Sequence, residues 1–284
     1  MSNMIRIAAF QMDPKLMKIR ENLESMVSAV KKAADNQANL IIPPECSLTG
    51  YMFSSREEAL PFAETIPGPS TERFISLCRK LKVYVVFGLL EKEGKRLFNA
   101  LTFIGPRGLI GSYRKNHLPF LGVDRFVDIG DRPFQVHPTP IGNIGLHICY
   151  DILFPESARV MTLLGADILV LSSNFVHGRG ETLNCLVRSR AIENKVHVIS
   201  ANRVGTERGF NFAGLSNIVD ATGEILSIAS ADKEEIIYAD VSLEMARQKH
   251  RVFIPSEWEI DNIRDRRPEI YDIITRKNPV FLQS

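Results

Sequence analysis

Apolar residues fall into two alternating patterns along this chain. Short apolar runs at 5–10, 39–42, 83–90, 99–104, 109–113, 144–149, 166–172, 196–201, 216–219, 224–228 and 236–241 predict β-strands. Leu16, Ile19, Leu23, Met26, Val27, Val30 and Ala34 recur at spacings of three and four, the stripe of an amphipathic helix. Phe74, Ile75, Leu77, Cys78 and Leu81 share one face of a second helix over 71–81. Helices are also expected over 155–164, where Pro155 suits a first turn, over 182–195, and over 242–250. Strands alternating with helices indicate an α/β protein.

Two stretches lack this periodicity. Residues 116–139 hold Pro119, Gly122, Gly130, Pro133 and Pro138 and are expected to form a long ordered loop, a frequent seat of function. Residues 251–284 are polar with scattered aromatics. Having little core of their own, they are expected to pack as a tail on the domain formed by 1–250 or on a partner subunit. One loose echo joins the two halves. The run Ala38-Asn39-Leu40-Ile41-Ile42 leads to Glu45, and Ala166-Asp167-Ile168-Leu169-Val170-Leu171 leads to Asn174. Carboxyl ends of such strands are where α/β sheets place sites.

Composition narrows the function classes. The 284 residues are 45% hydrophobic and 24% charged, ordinary globular values. A net charge of +2, with no basic block flanked by aromatics, argues against nucleic-acid binding. No apolar run approaches the roughly 18 residues that span a bilayer, and Met1–Met12 lack the pattern of a secretion leader. Four cysteines without close pairs read as reduced thiols. The expectation is a soluble cytoplasmic protein, with no membrane partner.

Three residues stand where chemistry is feasible. Glu45 comes after Pro43-Pro44 at a strand end. It is either a solvated turn carboxylate or one partly desolvated and raised toward general-base values. Lys115 ends a strand, either as a solvated cap or as a cation for an oxyanion or a thiolate. Cys149 sits where a strand breaks ahead of the Pro155 helix. It is either a small buried hydrophobe or a thiol whose thiolate is favoured by free backbone N–H groups and the helix dipole. A Cys–His dyad with His117 or His147 lacks protease-type surroundings. No zinc, P-loop, dinucleotide or G-x-S-x-G pattern is present.

Taken in order, Pro43-Pro44-Glu45, Tyr113-Arg114-Lys115-x-His117-Leu118 and Cys149-Tyr150-Asp151-x-x-Phe154-Pro155-Glu156 resemble the nitrilase superfamily of carbon–nitrogen hydrolases. The similarity runs on through Gly165-Ala166-Asp167, Arg190-Ala191-Ile192-Glu193-Asn194, Ser200-Ala201-Asn202 and Arg266-Arg267-Pro268-Glu269-Ile270-Tyr271. It implies a four-layer α-β-β-α sandwich, a Glu45–Lys115–Cys149 triad, and homodimers or higher homo-oligomers paired through the helices after the nucleophile. It implies no metal or organic cofactor. Many members carry a second glutamate in the loop after the lysine. Here that loop has no Glu, Ile129 replaces a proline, and Asp124 is the nearest acid, as a substitute or as a loop salt-bridge partner.

The resemblance implies hydrolysis of a small linear amide to carboxylate and ammonia through a thioester, with the Tyr150 N–H joining Lys115 at the oxyanion. Tyr150-Asp151 looks like the amidase and N-carbamoyl branches rather than the nitrile-cleaving one. An N-carbamoyl amidohydrolase resembling β-ureidopropionase is therefore the alternative, ahead of a nitrilase and of a catalytically silent binding protein. Tyr51, Phe120, Asn174 and Phe175 are expected to line the substrate pocket, and Phe53 to pack in the core. Leu153 stands where several members that bind carboxylates carry Arg, leaving Arg125 or Arg203 as nominees.

Overall fold

A computed structural model of the chain describes residues 4–276. Its contacts group into two units, one ending at Arg247 and one starting at Gln248. The first unit begins with strand Met4–Gln11 (β1), helix Ile19–Asp35 (α1), strand Leu40–Ile42 (β2) and the short helix Arg56–Ala59 (α2). Helix Pro69–Leu81 (α3) leads into strands Tyr84–Glu93 (β3), Arg96–Gly105 (β4) and Gly108–Arg114 (β5). Then come Val136–Thr139 (β6), Gly142–Ile148 (β7), helix Pro155–Leu163 (α4), Ile168–Ser173 (β8), helix Gly180–Asn194 (α5) and His197–Asn202 (β9). A small hairpin, Thr206–Glu207 (β10) with Phe210–Asn211 (β11), precedes Asn217–Val219 (β12), Ile225–Ile228 (β13), Glu235–Ser242 (β14) and helix Leu243–Arg247 (α6).

Two six-stranded sheets result, ordered β14-β1-β2-β3-β4-β5 and β13-β12-β9-β8-β7-β6. Each has three parallel strands at its centre, β1-β2-β3 and β7-β8-β9, extended by antiparallel neighbours. Period-two alternation assigns the faces. Ile5, Ile7 and Ala9 of β1 share one core with Ile168 and Val170 of β8 and Ile199 and Ala201 of β9, which seals the sheets face to face. The opposite face of β1, Ala8 and Phe10, packs with Met26, Val27, Val30 and Ala33 of α1 and Phe74 and Leu77 of α3. Leu169 and Leu171 of β8 pack with Ala158 and Met161 of α4 and Leu183, Val187 and Ala191 of α5. These are the four layers of an α-β-β-α sandwich. Burial on both faces is why the central strands read as unbroken apolar runs.

Several boundaries differ from the sequence reading. α1 starts only at Ile19, because Met17 adopts a left-handed φ of 64°. β3 runs past its apolar part through Glu91 to Glu93, and β4 starts at Arg96; the buried Glu91 pairs with the buried Arg114, which the exposed Glu93 also reaches. The loop after Lys115 contains a 3₁₀ turn, Gly122–Arg125, and the edge strand β6. Hairpin β10–β11 has strands of two residues, too short to show alternation. The second unit contains a two-stranded hairpin, Arg251–Ile254 (β15) with Trp258–Ile260 (β16), on which Phe253 and Trp258 stack. The end of the expected tail, 277–284, lies outside the described residues. Among the described residues no helix is long and apolar enough to cross a membrane.

Candidate active site

The turn after β2 sets the position of Glu45. Pro43-Pro44 ends the strand, and the chain then crosses β3 so closely that a Cβ on Gly88 would lie 2.5 Å from the Cys46 nitrogen. Leu48 N–H donates to Gly88 O at 3.0 Å, Cys46 takes a φ of 48°, and Glu45 is buried beneath. The residues beyond are clamped from β10. The carboxylate of Glu207 accepts the N–H groups of Tyr51 at 2.9 Å and Met52 at 2.7 Å.

Lys115 comes one residue after β5 and is also buried. Its N–H donates to Asn99 O of β4 at 2.9 Å, which places the Asn99 and Lys115 side chains together. Lys115 Nζ donates to Glu45 Oε1 at 2.7 Å and to Asp124 Oδ2 at 2.5 Å. Asn99 Nδ2 donates to the same Glu45 oxygen at 2.7 Å and to Asp124 Oδ1 at 2.9 Å. Tyr51 OH donates to Asp124 Oδ2 at 2.8 Å, its ring lying against Gly122, where φ is 51° and a Cβ would come within 2.5 Å. Glu45 Oε2 is buried with no hydrogen-bond partner among the described residues.

Cys149 lies where β7 turns into a 3₁₀ segment, Cys149–Leu153, ahead of α4, and its φ of 41° marks a strained turn. Asp151 fastens that turn. Its carboxylate accepts Ile148 N–H at 3.0 Å, Tyr113 OH at 2.8 Å and His117 N–H at 3.1 Å, and meets His117 Nδ1 at 2.7 Å. Cys149 is half-buried, and its sulfur accepts a hydrogen bond from the Asn174 main chain. The Asn174 side chain donates to Glu45 O at 3.2 Å, so one residue after β8 touches both the Glu45 and the Cys149 segments.

Two carboxylates share a single ammonium here, and this decides the electrostatics. Burial, with Asp124 adding to it, pushes the Glu45 carboxyl up to about 7 against the pull of Lys115 and Asn99. Burial alone would lower the Lys115 ammonium, but Asp124 and Glu45 hold it well above the usual lysine range. Although Cys149 keeps some accessible surface, burial and then the Glu45 charge push its thiol well up, more than Lys115 and the Asn174 N–H bring it down. Of the two readings of Cys149, the one with a favoured thiolate does not hold at rest, because burial outweighs both Lys115 and the Asn174 N–H. The site holds a thiol, a carboxyl poised near neutrality and a fixed cation.

The other predicted residues divide. Tyr51, Asp124 and Asn174 join the cluster. Phe175 is buried beside Cys149 in the core under α5, and the half-buried Tyr150 packs edge-on against Phe154. Phe53 is core, as expected. Phe120 departs from the expectation of a pocket-lining ring. Leu121 N–H bonds Pro119 O at 2.9 Å, so Phe120 is the apex of a three-residue turn and 91% exposed. Arg203 is engaged by Asp13 and Glu207, and Arg125 by Gly122 O and Phe53 O. Of the histidines, His117 is held by Asp151. Burial pushes His147 down to about 4, and neither of its ring nitrogens has a hydrogen-bond partner among the described residues. Sequence reading missed Asn99 and the role of Asp151. An asparagine inside the apolar stretch Leu97-Phe98-Asn99-Ala100-Leu101 was the available signal, since a buried amide needs partners. Among the described residues no group of three or more His, Cys, Asp or Glu side chains is arranged to hold a metal ion.

Known proteins resemble this chain in sequence and fold. Residues 6–251 match the carbon–nitrogen hydrolase family. A protein named nitrilase from Pyrococcus abyssi is 38% identical over 94% of this chain and 99% of its own. An omega-amidase from Xenopus tropicalis is 32% identical over 91% and 94%. The crystal structure of a carbon–nitrogen hydrolase from Helicobacter pylori superposes with a TM-score of 0.86 at 28% identity, covering 97% of this chain and 99% of that one. With its fold, its ordered motifs and its near full-length relatives, this chain belongs to the nitrilase superfamily of carbon–nitrogen hydrolases.

Proposed function

We propose that this protein hydrolyses a small linear amide to a carboxylate and ammonia, with Cys149 as nucleophile, Glu45 as proton carrier and Lys115 as oxyanion donor. The observation that carries the reading is Oε2 of Glu45, without a hydrogen-bond partner among the described residues and buried beside a thiol that keeps its proton. Glu45 takes the thiol proton as the sulfur attacks the amide carbon, and the C=O electron pair moves onto oxygen. Lys115 Nζ, fixed by Glu45 and Asp124, and the Tyr150 N–H stabilise that oxyanion. Protonated Glu45 returns its proton to the amide nitrogen, the C–N bond breaks and ammonia leaves. Glu45 then deprotonates a water that cleaves the thioester, releasing the carboxylic acid and restoring the thiol.

A base near neutrality suits this alternation of acid and base roles, which supplies roughly 10²–10⁴-fold, and each oxyanion donor supplies about 10²–10³-fold. Tyr150-Asp151 after the nucleophile, as in the amidase and N-carbamoyl branches, supports an amide over a nitrile, and the similarity to a relative named omega-amidase is consistent with it. Of the two nominees for a substrate carboxylate, Arg203 is buried in ion pairs and Arg125 is exposed but bonded to two carbonyls, so a substrate without a carboxylate fits better. Exposed Val160, Leu163 and Leu164 at α4 and Ile192 on α5 support pairing of two copies through these helices. The test is ammonia release from a panel of simple amides, N-carbamoyl amino acids and nitriles, with intact mass read during turnover. An acyl adduct on Cys149 with the amides is expected; turnover without one overturns the reading.

A further inference from the structure

The triad alone does not explain which oxygen of Glu45 carries the proton. Glu45 faces Lys115, Asp124, Asn99, Cys46, Tyr51 and Cys149. Oε1 receives two short hydrogen bonds, from Lys115 and from Asn99, whereas Oε2 receives none among the described residues. Lys115 alone leaves a carboxylate free to rotate about its last bond; a second donor on the same oxygen removes that freedom. Asn99 acts twice, because its other N–H holds Asp124 and so fixes the second carboxylate that positions Lys115.

An asparagine amide can do this in only one of its two orientations. If it were flipped, its carbonyl oxygen would face two carboxylates. Oδ1 instead points to Cys46 Sγ at 3.5 Å. Cys46 is fully buried next to Glu45, and burial with the neighbouring carboxylates keeps its thiol protonated, as a donor must be. Cys46 thus has a use although it is not a nucleophile.

We propose that Asn99 is a positioning residue which, with Lys115, ties down Glu45 Oε1 and leaves Oε2 to exchange the proton with Cys149 and substrate, its amide orientation being set by the Cys46 S–H. This rests on the reading of Glu45 as proton carrier.

The test uses the intact protein and iodoacetamide, following alkylation of Cys149 by peptide mass spectrometry between about pH 5 and 9, where the acid limb reports Glu45 ionisation. A hydrogen bond to the charged form lowers a carboxyl pKa, so its removal raises it. Asn99→Leu is expected to move the midpoint of the limb up by about one pH unit and to slow labelling on its acid side about tenfold. Cys46→Ser, which keeps a donor, should retain the wild-type midpoint, and Cys46→Ala should move it part of the way up. A folded Asn99→Leu with the wild-type midpoint overturns the proposal. If Asn99→Leu does not fold, the Cys46 pair decides: equal midpoints for Ser and Ala overturn it. Glu45→Gln separates the two readings. It should abolish the limb, and a limb that survives refutes Glu45 as proton carrier rather than the role of Asn99.

Discussion

The two halves of the sandwich are built on one frame and carry different chemistry. In the first, Asn39 N–H bonds Arg6 O, Asn39 Oδ1 accepts Arg6 N–H, and Tyr84 N–H bonds Asn39 O. In the second, Asp167 N–H bonds Asn143 O, Asp167 Oδ2 accepts Asn143 N–H, and His197 N–H bonds Asp167 O. The helix before the third strand ends alike in both, on a left-handed lysine, Lys82 or Lys195, whose N–H bonds back to Cys78 O or Ala191 O. β1, β2 and β3 therefore correspond to β7, β8 and β9. The differences start at the carboxyl ends. After β1 the chain goes through Met12-Asp13 without a left-handed residue, whereas β7 breaks at Cys149 with a left-handed φ. After β2 comes Glu45; after β8 comes Asn174, neutral, bonded to the Glu45 main chain and to the Cys149 sulfur. The frame brings strand ends together, and the few residues beyond them decide which end reacts.

Breaking the second half's contribution should cost most. Cys149→Ala is expected to lower kcat by at least about 10⁴-fold with the fold retained, since the change is small and local. Ammonia release and circular dichroism check it; retention of most activity would remove Cys149 from the mechanism. Breaking the first half's charges comes next. Glu45→Gln and Lys115→Met should each lower kcat at least ~10²-fold. The double variant should lose much less than the product, because the two act as one unit. Fully multiplicative losses would show independent action.

Asp124 sharpens the comparison, because it has no counterpart in the second half's frame and enters from the loop after Lys115. Asp124→Asn keeps the shape but leaves Lys115 with one carboxylate instead of two. A fall in kcat of about tenfold is expected, as for a weakened charge-assisted contact. A surface ion pair would be worth only ~0–1 kcal/mol, but Asp124 is buried with three partners. Unchanged kinetics for Asp124→Asn would reduce it to a structural loop residue.

How much of this was legible depends on the range of the forces involved. The α/β class was readable because apolar runs and the three-and-four spacing on α1 are local, whereas the four layers were implied only by the family resemblance. The order of the motifs singled out Glu45, Lys115 and Cys149. What lay hidden was set across the fold. The depth of Glu45 depends on Gly88 of β3 admitting the Cys46 backbone, which nothing near Glu45 announces. The state of the thiol depends first on its burial and then on the Glu45 charge beside it, and only the packed site gives either. Asn99 read as part of a strand because its partners come from three distant segments. Phe120 read as a pocket ring because a three-residue turn leaves no mark in hydrophobicity.

The last expected effect is on stability and not on rate. With its carboxyl raised to about 7 from an ordinary 4.5, Glu45 binds its proton more tightly in the folded than in the unfolded chain. Between those values the native state holds more protons, so its stability falls as pH rises through the window, and above it the full cost of a buried second carboxylate is present. That cost is on the order of 3 kcal/mol. Glu45→Gln removes it and leaves Lys115 paired with Asp124 alone. The variant should therefore be more stable than wild type at alkaline pH, by roughly 5 °C in Tm, while being catalytically poor. The gap should close as the pH is lowered toward about 5, where Glu45 is protonated in the folded wild type as well. Thermal melts of both proteins across that range decide it. A Glu45→Gln protein less stable than wild type at high pH, or a gap that ignores pH, would mean that Glu45 is a structural ion-pair partner of Lys115 and not a site held at a cost to the fold.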